Sequence, residues 1–130
     1  MIGIVIVAHG GLALEYLAAV EHVVGAQDGI RAIGIMAECD RANKQDEICK
    51  AANAVDSGEG VVVVTDMFGG SPSNLSLRAC APENRRIVYG ANLPMLIKLA
   101  KSRHLPVPDA VRVSLEAGRK YIDSQNIKTD

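Results

Sequence analysis

Two residues of this sequence are placed to do chemistry together. His9 ends the apolar run Ile2-Gly3-Ile4-Val5-Ile6-Val7-Ala8 and precedes Gly10-Gly11, while Asp66 ends the run Val61-Val62-Val63-Val64-Thr65 and precedes Met67-Phe68-Gly69-Gly70-Ser71-Pro72. A carboxylate that accepts the Nδ1–H bond of an imidazole fixes the tautomer and leaves the Nε2 lone pair exposed as a directed nucleophile. Gly69 and Gly70 let the backbone approach a ligand closely, and the turn leads into a helix N-terminus, where free N–H groups and the positive dipole end favour a phosphate-like anion. A nucleophilic histidine, an orienting aspartate and an oxyanion cradle together point to phosphoryl transfer onto His9.

Each piece also has an ordinary structural reading. An aspartate that closes a strand is often a turn residue or a helix cap. The pair Gly69-Gly70 matches neither the Walker pattern nor GxGxxG, so it does not indicate nucleotide binding. Ser71, Ser73 and Asn74 either bond a phosphoryl oxygen or cap the helix they open, two roles that are compatible. His9 stands apart because it follows a buried strand directly and Gly10 leaves it little covered by side-chain bulk. His22, on the first helix, and His104, near Pro106, read as surface or helix-terminal residues. Lys98, Lys101 and Arg103 read as a small basic helix face, solvated or available for docking.

For His9 and Asp66 to meet, their two strands must be neighbours. Ile2–Ala8, Ile30–Ala37, Gly60–Thr65 and Arg86–Ala91 read as strands, the first a continuous β-branched run of the kind buried on both faces. Helices are expected from Leu12 to Gly25, from Asp40 to about Val55, from Pro72 to about Cys80, from Pro94 to about Arg103 and from Asp109 to about Ser124. Regular alternation implies right-handed βαβ crossovers and a doubly wound, mostly parallel α/β sheet covered on both faces, one domain over residues 1–130. In such sheets ligands bind beyond the carboxyl ends of the strands, where His9, Glu38 with Asp40, Asp66 and Asn92 fall. A flavodoxin-like order beginning 2-1-3-4 puts the first and third strands side by side, with His9 and Asp66 facing across the switch point.

Composition narrows the class of partner. Acidic and basic residues nearly balance, with a formal net charge of −1, so there is no electrostatic footprint for nucleic acid or an anionic membrane. No uncharged apolar stretch approaches the ~20 residues needed to span a bilayer, and no signal peptide is indicated. Cys39, Cys49 and Cys80 show no CxxC spacing and read as reduced thiols of a cytoplasmic protein. No metal and no organic cofactor is expected.

The segments IVIVAHG, TDMFGGSPSN and YGANLPML, spread over essentially the whole chain, resemble the EIIA domain of the mannose family of the bacterial phosphotransferase system. The resemblance implies that His9 receives a phosphoryl group on Nε2 from phospho-HPr, that Asp66 orients it, and that Gly69-Gly70-Ser71 hold the phosphoryl oxygens. Gly10, Ser73, Asn74 and the fourth-strand loop with Asn92, Pro94 and Met95 would support them. It also implies a flavodoxin-like sheet, a homodimer and an EIIB acceptor, with an antiparallel edge strand possible over Asn126–Thr129. The chain reads as a stand-alone EIIA. Alternative roles are a regulatory module whose His9 phosphorylation controls a partner protein, and the EIIA-like component of a dihydroxyacetone kinase, whose family motif lacks the FGGSP turn. A receiver domain needs an acidic pair after its first strand where this chain has His9-Gly10, and a flavin site wants more aromatic side chains than Phe68 and three tyrosines provide.

Overall fold

The structure, a computed structural model, describes residues 1–128 of the 130-residue chain. Strands β1 (Gly3–His9), β2 (Ile30–Ile35), β3 (Val61–Thr65) and β4 (Arg85–Val88) form one parallel sheet in the order β2-β1-β3-β4. Helices α1 (Leu12–Val24), α2 (Arg41–Val55), α3 (Ser71–Ser76), α4 (Leu93–Lys101) and α5 (Val107–Lys120) cover its two faces. This is the parallel α/β sheet that the alternation of elements predicts, in the flavodoxin-like strand order that the resemblance implies.

The two central strands explain their own sequences. Because β1 and β3 have a strand on each side and helices on each face, nearly every side chain is buried, and neither strand shows polar alternation. Ile4, Ile6, Ala8, Val62 and Val64 pack with Val20, Leu96, Leu99 and Ala110 of α1, α4 and α5. Val5, Val7, Val61 and Val63 turn to the opposite face, against Ile48, Ala52 and Leu75 of α2 and α3. Gly3 sits in this β-branched strand because a Cβ there would collide with the carbonyl oxygen of Val55 at the end of α2. The register pairs Val7 with Thr65, so His9 and Asp66 emerge together where the ladder ends.

Several boundaries differ from the sequence expectation. β2 stops at Ile35 instead of Ala37, and β4 covers Arg85–Val88 instead of Arg86–Ala91, closing just before Gly90 at φ +76°. The helix after Pro72 is α-helical only to Ser76, with a tighter 3₁₀ turn over Arg78–Cys80. α5 starts at Val107 and takes Pro108 into its first turn, where a missing N–H costs no helical bond, and it ends at Lys120, short of Ser124. Of the edge strand considered at Asn126–Thr129, residues 126–128 form no strand and Thr129 lies outside the described residues.

Arg103 is a further correction. It is not part of an exposed basic face: its side chain is buried, donating from Nε to the Ile2 carbonyl at 2.7 Å and from its η nitrogens to Gly29 O and Gln27 Oε1, each at 3.3 Å. One guanidinium thus ties together the starts of β1 and β2, at the end of the sheet away from His9. Among the described residues, no helix is long and apolar enough to cross a membrane.

Candidate functional site

β1 and β3 deliver the two central groups. Oδ2 of Asp66 accepts the backbone N–H of His9 at 3.0 Å and lies 2.8 Å from His9 Nδ1. An ionised carboxylate can only accept, so His9 donates from Nδ1, and in the neutral ring this leaves the lone pair on Nε2. Burial alone would push the Asp66 carboxyl up, but the backbone and ring hydrogen bonds from His9 outweigh it and hold it below the usual carboxylate range. The two side chains differ in access: 49% of the His9 side chain is exposed and 11% of Asp66. The carboxylate is therefore shielded while the imidazole faces outward. Asp66 Oδ1 is buried with no hydrogen-bond partner, so the carboxylate's interactions are concentrated on the oxygen that holds His9.

Tyr16 of α1 borders this pair. Its pKa is raised by burial and, secondarily, by the charge of Asp66, and its hydroxyl donates to Ala91 O at 3.0 Å. It acts as a neutral strut between α1 and the loop after β4.

The turn after Asp66 is shaped around the imidazole. A Cβ added at Gly70 would lie 3.1 Å from His9 Cε1 and 3.5 Å from Nε2, so the glycine keeps the Cε1–Nε2 edge of the ring clear. Gly69, at φ +85°, makes the bend that brings it there. Ser73 is buried and its hydroxyl is fully used, accepting from Gly69 N–H and donating to Gly70 O, both at 3.0 Å. It holds the turn and presents no free group to a ligand. Asn74 makes the first helical bond of α3, N–H to Gly70 O at 3.1 Å, and is exposed. Ser71 opens α3, so its N–H has no intrahelical acceptor and remains available. With only six residues, α3 contributes these local N–H groups more than a long helix dipole.

Ser71 also reaches across to another element. Its Oγ lies 3.4 Å from Nη1 of Arg41, the first residue of α2. His9, Gly10, Met36, Cys39, Arg41 and Ser71 line a cleft of about 400 Å³ at this end of the sheet. Gly10 turns the chain out of β1 at φ +57° and donates its N–H to Ile35 O at 2.9 Å.

Asn92 has a different position in the network. Its Oδ1 accepts Met95 N–H at 3.0 Å as the cap of α4, and its Nδ2 donates to Gly118 O at 2.8 Å. Both ends of the amide are occupied in fastening α4 to α5. The structure thus brings together His9, Asp66, Gly10, Gly70 and Ser71, while Ser73 and Asn92 brace the elements behind them. Among the described residues, no group of three His, Cys, Asp or Glu side chains is arranged to hold a metal.

Sequence reasoning missed Arg41 and an apolar rim. Leu12, Leu14, Met36, Met67 and Phe68 are all exposed in the loops and first helical turn that follow β1, β2 and β3. Phe68 is 75% exposed yet held edge-on against Tyr89, ring centroids 4.9 Å apart. Apolar residues kept exposed at one end of a sheet suit protein docking. The signal was present in Met67-Phe68, which continues an apolar run beyond the carboxylate that ends its strand.

The geometry supplies a prediction. Gly70 has φ −88° and ψ 176°, a conformation alanine adopts freely, so Gly70→Ala adds no backbone strain and its tightest new contact is with His9. Phosphoryl acceptance is expected to fall about tenfold, since small displacements of reacting groups carry such penalties, with an unchanged urea midpoint. A rate equal to wild type would show that the ring does not need this space.

Comparison with known proteins agrees with the architecture. The family model described as "PTS system fructose IIA component" matches residues 3–113. The mannose-specific EIIAB component of the phosphotransferase system of Escherichia coli K12 is 26% identical over 130 residues, covering 98% of this chain; the chain spans only 40% of that relative's length. A putative phosphotransferase enzyme IIA component of the same organism, YadI, is 30% identical over 104 residues, 79% of this chain and 71% of the relative. The crystal structure of a phosphotransferase system EIIA component from Streptococcus agalactiae superposes with a TM-score of 0.85 at 26% identity, covering 95% of this chain and 97% of that one. With the family model matched along most of its length, this chain belongs to the mannose-type EIIA family of the phosphotransferase system.

Proposed function

We propose that the protein is a cytoplasmic phosphocarrier that takes a phosphoryl group from phospho-HPr on His9 Nε2 and passes it to an EIIB component. The observation that carries the reading is the 2.8 Å bond between His9 Nδ1 and Asp66 Oδ2, which leaves an exposed Nε2 lone pair above Gly70. In the proposed step that lone pair attacks the phosphorus of the donor's phosphohistidine. The N–P bond to the donor breaks, its electron pair returns to the donor imidazole, and a new N–P bond forms on His9. The Nδ1 proton stays where it is, and Asp66 offsets the positive charge that develops on the ring. Phosphoryl oxygens then meet the backbone at Gly70 and Ser71, and the group leaves to an acceptor nucleophile by the same path in reverse. Rate comes from positioning and charge neutralisation, which suits a relay between groups of similar transfer potential.

The chain would work as one EIIA unit, with the apolar rim around His9 receiving the partner proteins in turn. Family resemblance also supports a homodimer; sedimentation equilibrium at micromolar concentration is expected to give twice the chain mass, and a single-chain mass would remove that part of the reading. The direct test of the carrier role is incubation with labelled phosphoenolpyruvate, enzyme I and HPr. An acid-labile, base-stable phosphoprotein is expected, which then loses its label to an EIIB. Failure to take label from phospho-HPr would overturn the proposal.

A further inference from the structure

We propose that Arg41 is a phosphoryl-binding residue of this site, a cation carried in from the β2–α2 connection to neutralise the group on His9. The inference rests on the carrier reading above. It starts from the placement of the side chain. Arg41 lines the same cleft as His9 and Ser71, and its Nη1 lies 3.4 Å from Ser71 Oγ, its hydrogen-bond contact in the structure. Among the described residues, no carboxylate lies within ion-pair distance of Arg41, whereas Arg85 has one such partner and Arg112 two. The neighbouring Asp40 does not fill that role. Its carboxylate accepts the Asn43 N–H at 3.2 Å and the Asn43 side-chain amide at 3.1 Å, capping α2.

The chemistry of the site lacks a cation. Asp66 is ionised to hold His9, so an arriving phosphoryl group adds negative charge to a cleft that already contains a carboxylate. Backbone N–H groups at Gly70 and Ser71 supply dipoles but no net charge. A guanidinium presents several N–H donors in a planar fork that fits phosphoryl oxygens, and a hydrogen bond to a charged group is about twice as strong as a neutral one. The 3.4 Å contact with Ser71 Oγ is long and weak, so Arg41 gives up little by turning its fork from the hydroxyl to a phosphoryl group beside it. Ser71 in this arrangement parks the arginine before the group arrives.

Two measurements test the assignment. The first is the rate of labelling by phospho-HPr, expected to fall about tenfold in Arg41→Gln and to recover partly in Arg41→Lys, which restores charge without the fork. The second is a ³¹P titration of His9 phosphorylated chemically with phosphoramidate, independent of HPr and carried out in a His22→Gln/His104→Gln background because those two imidazoles are also exposed. Removal of a nearby cation is expected to raise the phosphoryl group's apparent pKa by about half a unit or more in Arg41→Gln. Asp66, Asp40, Glu38 and Tyr16 are present in both proteins, so the comparison isolates the arginine. Equal labelling rates together with equal titration curves overturn the inference and leave the carrier reading intact. Absence of HPr-dependent label in wild type overturns the carrier reading, and the titration still reports whether Arg41 meets a phosphoryl group on His9.

Discussion

Replacement of His9 by alanine is expected to abolish phosphoryl acceptance, a loss of at least ~10³-fold against wild type under phosphoenolpyruvate, enzyme I and HPr. The size of the effect follows from the role proposed: His9 forms the N–P bond, so its removal does not slow the step but deletes the atom that performs it. No other histidine is near enough to substitute. His22 and His104 are exposed, on α1 and beyond α4, and neither lines the His9 cleft. Folding should survive the change, because the imidazole is half exposed and the backbone N–H at position 9 still reaches Asp66 Oδ2. Circular dichroism and urea denaturation of His9→Ala and His9→Gln provide that control. Label at the wild-type level in a folded variant would place the phosphoryl group elsewhere and end the assignment.

The second large effect is expected at Asp66. In Asp66→Asn the neutral amide has two poor choices. With its oxygen toward His9 it keeps both hydrogen bonds but loses the charge that balances the developing positive ring, and it leaves an NH₂ group buried where Oδ1 now has no partner. Turned the other way, it points donors at the His9 N–H and drives the ring toward the wrong tautomer. Either arrangement removes a charge-assisted hydrogen bond worth ~2 kcal/mol, so phosphotransfer should fall by about 30- to 100-fold while the sheet persists. Stability measurements carry an independent signature. The folded-state pKa of Asp66 is depressed, so its contribution is present above the unfolded value of about 3.9 and is lost as pH falls through the folded value. The gap in stability between wild type and Asp66→Asn should therefore narrow as the pH drops below about 4. Rates equal to wild type would remove Asp66 from the mechanism; a stability gap that does not change with pH would remove the charge from its bond to His9.

Legibility in the sequence followed the range of the interactions. The central strands declared themselves because burial on two faces leaves only β-branched residues, as in Val61–Val64 and Ile4–Val7. Once the strand order was inferred, adjacency of His9 and Asp66 followed from their being the first polar side chains beyond neighbouring strands. The roles of Ser73 and Asn92 were less accessible, because a side chain that caps or braces has the same residue types as one that binds an anion. Their hydroxyl and amide partners, Gly70 O and Gly118 O, separate the two readings only in three dimensions. Arg103 looked like a helix-end cation, and its burial depends on carbonyls 74 and 101 residues away in sequence. Arg41 was invisible for the same reason, since nothing local connects it to Ser71, 30 residues on.

The parallel register of β1 and β3 has a consequence for when activity appears. His9 and Asp66 are 57 residues apart, and only the pairing that ends at Val7 and Thr65 sets them in contact. Such non-local closure belongs to the slower, costlier part of a folding reaction. A nascent or locally opened chain therefore holds the imidazole without its orienting carboxylate and offers the donor a histidine like any in solution. In the proposed carrier role, uptake of label would count folded molecules, and a partly folded chain would draw almost no phosphate from the relay.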